Sequence, residues 1–371
     1  MNSWIKGKLS SIHLFWAVII LVVGLLFIEQ TKSIQPTPYY NEQIKAAQLM
    51  EKCLEVIKEE RLKRDISLDL ELDPNQTGII GREYTQLTTT LGNLEAKRTS
   101  TNPAFAALLV KYFKKINLRK GDVIAIGASG SFPALILATL SAAKILELEP
   151  LFIYSIGSSE YGANIPEFTF VQMLEVLNKK NVLPYKLLAI SMGGYLDQAQ
   201  GMFYPDSQKI IHQIAQVSGA TFIKVDNMAE NIQQRMQLYR EAAGERPIKA
   251  FVNIGGATAN YGNTPASITY PNGLITNGPK APDHSERGLI FEYQIIGIPV
   301  IHLLNIKDLA IKNGLPIDPI PLPEIGEGRV YLQIVYSRLI IILVIGIEFL
   351  YLFWALKNGL GYPFMKKLRQ G

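Results

Sequence analysis

Three residues of this chain stand in an order that can do acyl-transfer chemistry. Ser129 lies in Gly127-Ala128-Ser129-Gly130-Ser131. That is close to the nucleophile-elbow pattern G-x-S-x-G, with Ser131 in the last glycine's place. Asp226 follows at the end of a later apolar run, and His284 in a loop beyond it. The order Ser, Asp, His is that of α/β-hydrolases. With the three together, Ser129 would attack a carbonyl, His284 would take its proton and Asp226 would orient the imidazole. The same residues have a plainer reading. A glycine–serine turn between a strand and a helix leaves backbone N–H groups open to an anion. His284 is then a surface residue, and His302, inside an apolar run, is a core histidine with a hydrogen-bond partner.

The anion reading has more candidates, because the same design recurs. Apolar runs at 123–126, 151–156, 186–190 and 249–254 end in glycine- or serine-rich loops. These loops carry Gly127, Gly130 and Ser131, then Ser158 and Ser159, then Gly193 and Gly194, then Gly255 and Gly256. The run 221–225 ends at Asp226 instead. Helix-length segments lie between the runs, at 134–146, 168–179, 206–219 and 229–243. Alternating strands and helices predict an α/β fold with a mostly parallel, doubly wound sheet, Rossmann-like and three-layered. Such a sheet delivers its loops to one edge, where ligands bind. Lys97 and Arg98 precede a helix over 104–115 that Asn102 caps and Pro103 opens. They can hold a carboxylate, or they are ordinary solvated charges beside a helix start.

Composition removes several classes of function. The 371 residues carry a net charge of +5 with no long basic run interleaved with aromatics, so no nucleic-acid partner is expected. The single Cys53 excludes an internal disulfide and a cysteine metal cluster. The histidines at 13, 212, 284 and 302 lack ligand spacing, so no metal site is expected. The loops do not match G-x-G-x-x-G, and no phosphate-loop motif occurs, so no nucleotide cofactor is expected.

The high hydrophobic fraction, 48%, is concentrated partly in two runs, at 14–28 and 339–356. No small-x-small cleavage site follows the first, so it reads as an uncleaved anchor. Lys6 and Lys8 precede it, while Lys357, Lys366, Lys367 and Arg369 follow the second. The positive-inside rule then puts both termini in the cytoplasm of a cell-membrane protein and the middle of the chain outside. Glu348, inside the second run, is either a contact for another membrane subunit or a neutral acid tolerated in one helix. The expected organisation is a cytoplasmic tip and anchor at 1–30, then a linker, stalk helix and lead-in at 31–100. An α/β domain at 101–314, a proline-rich tether at 315–333, and a second span with a basic tail at 334–371 complete it.

Several uninterrupted pieces carry a resemblance. They are Thr90-Leu91-Gly92, the stretch from Ala96-Lys97-Arg98 to Asn102-Pro103, the block from Gly121 to Leu135, and Tyr161-Gly162-Ala163-Asn164. Together these resemble the bacterial poly-γ-glutamate system protein family, over most of the part between the two spans and including the membrane anchoring. The resemblance implies a role beside the membrane machinery that makes and exports poly-γ-glutamate, and implies no catalytic residues. The expected function is therefore an accessory protein that binds poly-γ-glutamate or another polycarboxylate. Its crevice would use the loop residues above with Lys97, Arg98 and Asn164, and its partners would be synthase or export subunits and the lipid bilayer. The alternative is a serine hydrolase or amide transferase that acts on γ-glutamyl bonds through Ser129.

Overall fold

The computed structural model describes Leu9 and residues 11–367. Lys6, Lys8 and Arg369, which enter the orientation argument, lie outside the described residues. In chain order the first elements are α1 (Ser11–Gln30), β1 (Ser33–Pro36), α2 (Tyr40–Lys63), α3 (Leu94–Ser100), α4 (Ala104–Lys115), β2 (Val123–Ser129) and α5 (Pro133–Ile145). Then come β3 (Glu149–Ser155), α6 (Phe170–Lys179), β4 (Ala189–Ser191), α7 (Ser207–Ser218), β5 (Thr221–Phe222), α8 (Met228–Ala243) and β6 (Ile248–Ile254). The last are α9 (Thr258–Tyr261), α10 (Pro265–Ile268), β7 (Gly273–Ile275), α11 (Leu289–Ile295), β8 (Val300–Leu303), α12 (Ile306–Asn313), β9 (Leu332–Val335) and α13 (Arg338–Lys367). The chain divides into two units: Met1–Thr37 with Leu332–Gly371, and Pro38–Tyr331.

The Pro38–Tyr331 unit is α/β. Its sheet runs β5-β4-β3-β2-β6-β8-β7, and only β7 is antiparallel to its neighbour. The chain steps outward from β2 to β5, then returns to lay β6 on the other side of β2. Every residue of β2 is buried, as a parallel strand covered on both faces must be. On one face Ala125, Ile153 and Phe251 pack with Tyr239 of α8 and Tyr293 of α11. Phe251 and Tyr293 stack with ring centroids 4.6 Å apart. On the other face α2, α4 and α5 pack together, and Phe152 and Tyr154 meet Phe170 of α6.

Two expected connectors are structural parts of this unit. The stalk helix is α2, whose Ala46, Met50, Cys53 and Ile57 are fully buried. It packs on α4 and α5 because its apolar residues recur at helical spacing. The tether is fixed as well. Asn75 donates to the carbonyl of Pro319 (2.8 Å), and Gln43 donates to that of Val330 (2.9 Å).

In the other unit α1 and α13 pack together, and β1 pairs antiparallel with β9. The expected linker after the first apolar run is thus half of a small two-stranded sheet. Each helix is long and apolar enough to cross a membrane. Gly24 lets them approach, for a Cβ there would lie 2.4 Å from Val344 Cγ1. His13 Nδ1 lies 3.3 Å from the Tyr351 hydroxyl. Glu348 Oε2 is buried and has no hydrogen-bond partner among the described residues. Gly24→Leu is expected to separate the helices, because backbone-close packing leaves no room for a side chain. In the full chain, bis-maleimide cross-linking of a His13→Cys/Tyr351→Cys pair should fall several-fold on adding Gly24→Leu; unchanged cross-linking would contradict this.

Candidate functional site

The carboxyl ends of β2, β3, β4 and β6 border a crevice of about 500 Å³. It sits where the strand order turns back, outside β2 and its neighbours. Such switch points leave a gap because the loops on either side of it leave in opposite directions. Ser129 at the end of β2 lines it with Ser131 and Phe132 beyond, and Ser155 at the end of β3 with Gly157 and Ser159 beyond. Gly193, Gly194 and Tyr195 contribute after β4, and Gly256, Ala257 and Thr258 after β6. The stretch from Thr89 to Asn93 forms a further wall. It is tied to the loop after β3, since Thr89 N–H donates to Ser158 O (2.8 Å) and Glu160 N–H to Thr90 O (3.1 Å).

Two glycines fix how closely these loops meet. Gly193 has φ +77°, and a Cβ there would lie 2.6 Å from Gly157 N. Gly255 has φ +81°, and a Cβ there would lie 2.4 Å from Ser129 Oγ. A side chain at either position would be both strained and obstructed. Gly194 and Gly256 donate no backbone hydrogen bond within the described chain, so their N–H groups remain available at the crevice.

Lys97 is the one charged side chain among the described lining residues. It comes from α3, a short helix opened by Asn93, whose side chain accepts from Ala96 N–H (2.8 Å). Lys97 is 2% exposed. Its Nζ donates to the Ser131 carbonyl and lies 2.7 Å from Ser159 Oγ. It stands 4.1 Å above the centre of the Phe132 ring. No carboxylate pairs with it among the described residues. Burial penalises its charge and pushes the ammonium down to about 7, against a weaker pull upward from Glu160. The Glu160 carboxylate is itself engaged with Gly92 N–H (2.7 Å).

Below the crevice floor lies a buried polar cluster. Arg235 Nη2 donates to Asp197 Oδ2 (2.7 Å), Ser191 Oγ (2.6 Å) and Ser155 Oγ (3.2 Å). Asp197 Oδ1 accepts from Gly193 N–H (2.8 Å) and Ser191 Oγ (2.8 Å). Asn231 donates to Asp197 Oδ2 (2.8 Å). One carboxylate thus anchors the glycine loop after β4, and one guanidinium joins it to the ends of β3 and β4.

The Ser–Asp–His set does not come together. Ser129 lines the crevice, Asp226 lines a second cavity with His212, and His284 lines a third with Arg240. Ser129 still belongs to β2 and pairs in register with Ser155, so it is not on a sharp elbow. His284 sits in an exposed loop and accepts from Glu286 N–H through Nδ1 (3.1 Å). His302 is buried in β8, bonded to Asn253 (2.8 Å) and held neutral by burial, which pushes it down to about 4.

Of the anion-binding candidates, Lys97, Ser131, Ser159, Gly193, Gly194 and Gly256 line the crevice, as does Ser129, the candidate nucleophile. Others are set behind it. Arg98 is turned away, because neighbours on a helix do not share a face; it forms an ion pair with Asp318. Asn164 is fully buried and pins the 82–88 segment, donating to Arg82 O (2.6 Å) and Thr88 Oγ1 (3.1 Å). Ser158 donates to Ser159 O (2.8 Å). Gly127 lies within β2 against Asn260, Gly130 against the loop after β3, and Gly255 against Ser129. Sequence reasoning missed Tyr195, Thr258 and the Thr89–Asn93 wall; the threonine run at 88–90 was the available signal. It also missed Arg235 and Asp197.

Among the described residues, no group of acidic, histidine and cysteine side chains is arranged to hold a metal ion. No family model, curated protein or solved structure matches the chain.

Proposed function

We propose that this chain is a membrane-anchored accessory protein of poly-γ-glutamate synthesis or export. In this reading α1 and α13 span the membrane, both termini are cytoplasmic and the Pro38–Tyr331 unit is extracytoplasmic. That unit, a Rossmann-like doubly wound domain, holds the carboxylates of the polymer in the crevice. One observation carries the reading: Lys97 is buried in a crevice of hydroxyls and glycine N–H groups, with no anion of the protein's own beside it. A buried cation without a counter-charge is costly, and a bound carboxylate would remove that cost. Charge-assisted bonds from Lys97 and free backbone N–H groups suit a carboxylate chemically. The unpartnered Glu348 Oε2 supports a further contact between α13 and a membrane subunit of the synthase or exporter.

The test is equilibrium binding of a fluorescent γ-linked glutamate oligomer to the full chain in lipid nanodiscs. The acid should bind, and the same oligomer with its carboxylates amidated should not. Lys97→Met should weaken binding at least tenfold, the loss of one partner of a desolvated charge pair. Equal binding of acid and amide, or by wild type and Lys97→Met, would overturn the reading.

A further inference from the structure

We propose that Ser159 and Lys97 form a nucleophile–base pair, so that the crevice performs acyl transfer on an amide when no carboxylate sits on Lys97 to hold it as the ammonium. The geometry is that of a serine–lysine arrangement, in which an amine replaces the usual imidazole. Lys97 Nζ is 2.7 Å from Ser159 Oγ, within reach for proton transfer. Nζ donates to the Ser131 carbonyl and to Ser159 Oγ; as a neutral amine it can keep the first bond and reverse the second, its lone pair then accepting from the hydroxyl. Ser159 is held in turn, for its N–H donates to Ser131 Oγ (3.0 Å). Ser159 is one of the residues lining the crevice. Burial without a carboxylate partner keeps a large share of Lys97 in the amine form near neutrality, the form a base requires. Glu160 is the titratable neighbour that opposes this.

The reaction balances with water as the co-reactant. Ser159 Oγ forms a bond to the acyl carbon, and its proton passes to Lys97 Nζ. The tetrahedral intermediate expels the amine, which takes that proton back from Lys97. Water, deprotonated by Lys97, then attacks the acyl-serine, releases the carboxylic acid and returns the proton to Ser159. The N–H groups of Gly194 and Gly256, two lining residues that donate to no backbone acceptor among the described residues, would be candidates to meet the developing oxyanion. Ser129, the nucleophile expected from the elbow pattern, has no comparable base: its Oγ accepts a long bond (3.4 Å) from Ser131 N–H.

The inference rests on the crevice being a ligand site and not on which polymer enters it. A fluorophosphonate probe therefore reads the pair directly: serine oxygen attacks phosphorus, fluoride leaves, and the proton goes to the base. The full chain in nanodiscs is treated with the probe, digested with trypsin and analysed by mass spectrometry. Lys144 separates the peptide of Ser129 and Ser131 from that of Ser158 and Ser159, and fragmentation resolves the last two. The expected adduct is on Ser159, and its rate should rise roughly tenfold between about pH 6 and about pH 8, as the amine fraction of Lys97 grows. Lys97→Arg keeps a cation but supplies no base, so labelling should fall at least tenfold. An adduct on another serine, no adduct at any pH, or a pH-independent rate kept by Lys97→Arg would overturn the pair. Polymer binding measured alongside separates this failure from failure of the binding reading.

Discussion

Arg235→Met is expected to destabilise the Pro38–Tyr331 unit by about 3–5 kcal/mol, the cost of leaving a buried charge without its partner. Arg235 and Asp197 have side chains 0% and 1% exposed. Asp197 would keep Asn231, Ser191 and Gly193 N–H as neutral donors and lose the cation that pairs with it among the described residues. The loop after β4 should loosen first, because Asp197 holds Gly193 in the conformation that lets it meet Gly157. Denaturant unfolding of the full chain, followed by the reactivity of Cys53, checks this. Cys53 is fully buried on α2, so its thiol reports opening of this unit. Asp197→Asn in the Arg235→Met background should restore part of the loss, since it removes the orphaned charge. A loss below about 1 kcal/mol in the single variant would mean the pair does not anchor the loop.

The second large effect belongs to Lys97 and has a defined sign in pH. Its folded-state value, about 7, is below the ~10.4 of an unfolded lysine. Between those values the unfolded chain binds one more proton than the folded one. Stability should therefore rise with pH from about 7 upward, by about 1.4 kcal/mol per pH unit, and level off above about pH 10. Below about 7 both states are protonated, and the cost of the buried cation is fully present. Denaturant titrations of the full chain followed by far-ultraviolet circular dichroism, at about pH 7 and about pH 9, should differ by about 2–3 kcal/mol. That difference should be absent from Lys97→Met; an equal pH slope in the two proteins would contradict the assignment.

Much of the sheet was legible because apolar runs stop at glycine or serine. The runs ending near Ile254 and Ile156 fall within two residues of β6 and β3. Short elements were not legible. α3 is a seven-residue polar stretch, and β7 is a three-residue strand within a loop-rich region. Both depend on packing rather than on local periodicity. The missed α3 mattered most for the site. Without the helix, Lys97 and Arg98 read as one charge pair; with it, they face opposite ways, one into the crevice and one to Asp318. The Ser–Asp–His order failed for a different reason. Order along the chain says nothing about which cavity a loop faces, and the loops of Asp226 and His284 leave for two others. Arg235 and Asp197 carried no local signal, since each takes its meaning from a partner 38 positions away.

In the proposed function, Lys97 is the group that meets a carboxylate in the crevice. Binding and stability should respond to pH in opposite directions, because a bound anion favours the ammonium that burial disfavours. The most direct measurement is proton uptake on binding: calorimetric titration of the full chain with a γ-linked glutamate oligomer at about pH 8, in buffers of different ionisation enthalpy. The prediction is an uptake close to one proton per bound oligomer in the wild type and none in Lys97→Met. No uptake by the wild type, or the same uptake by both, would contradict it.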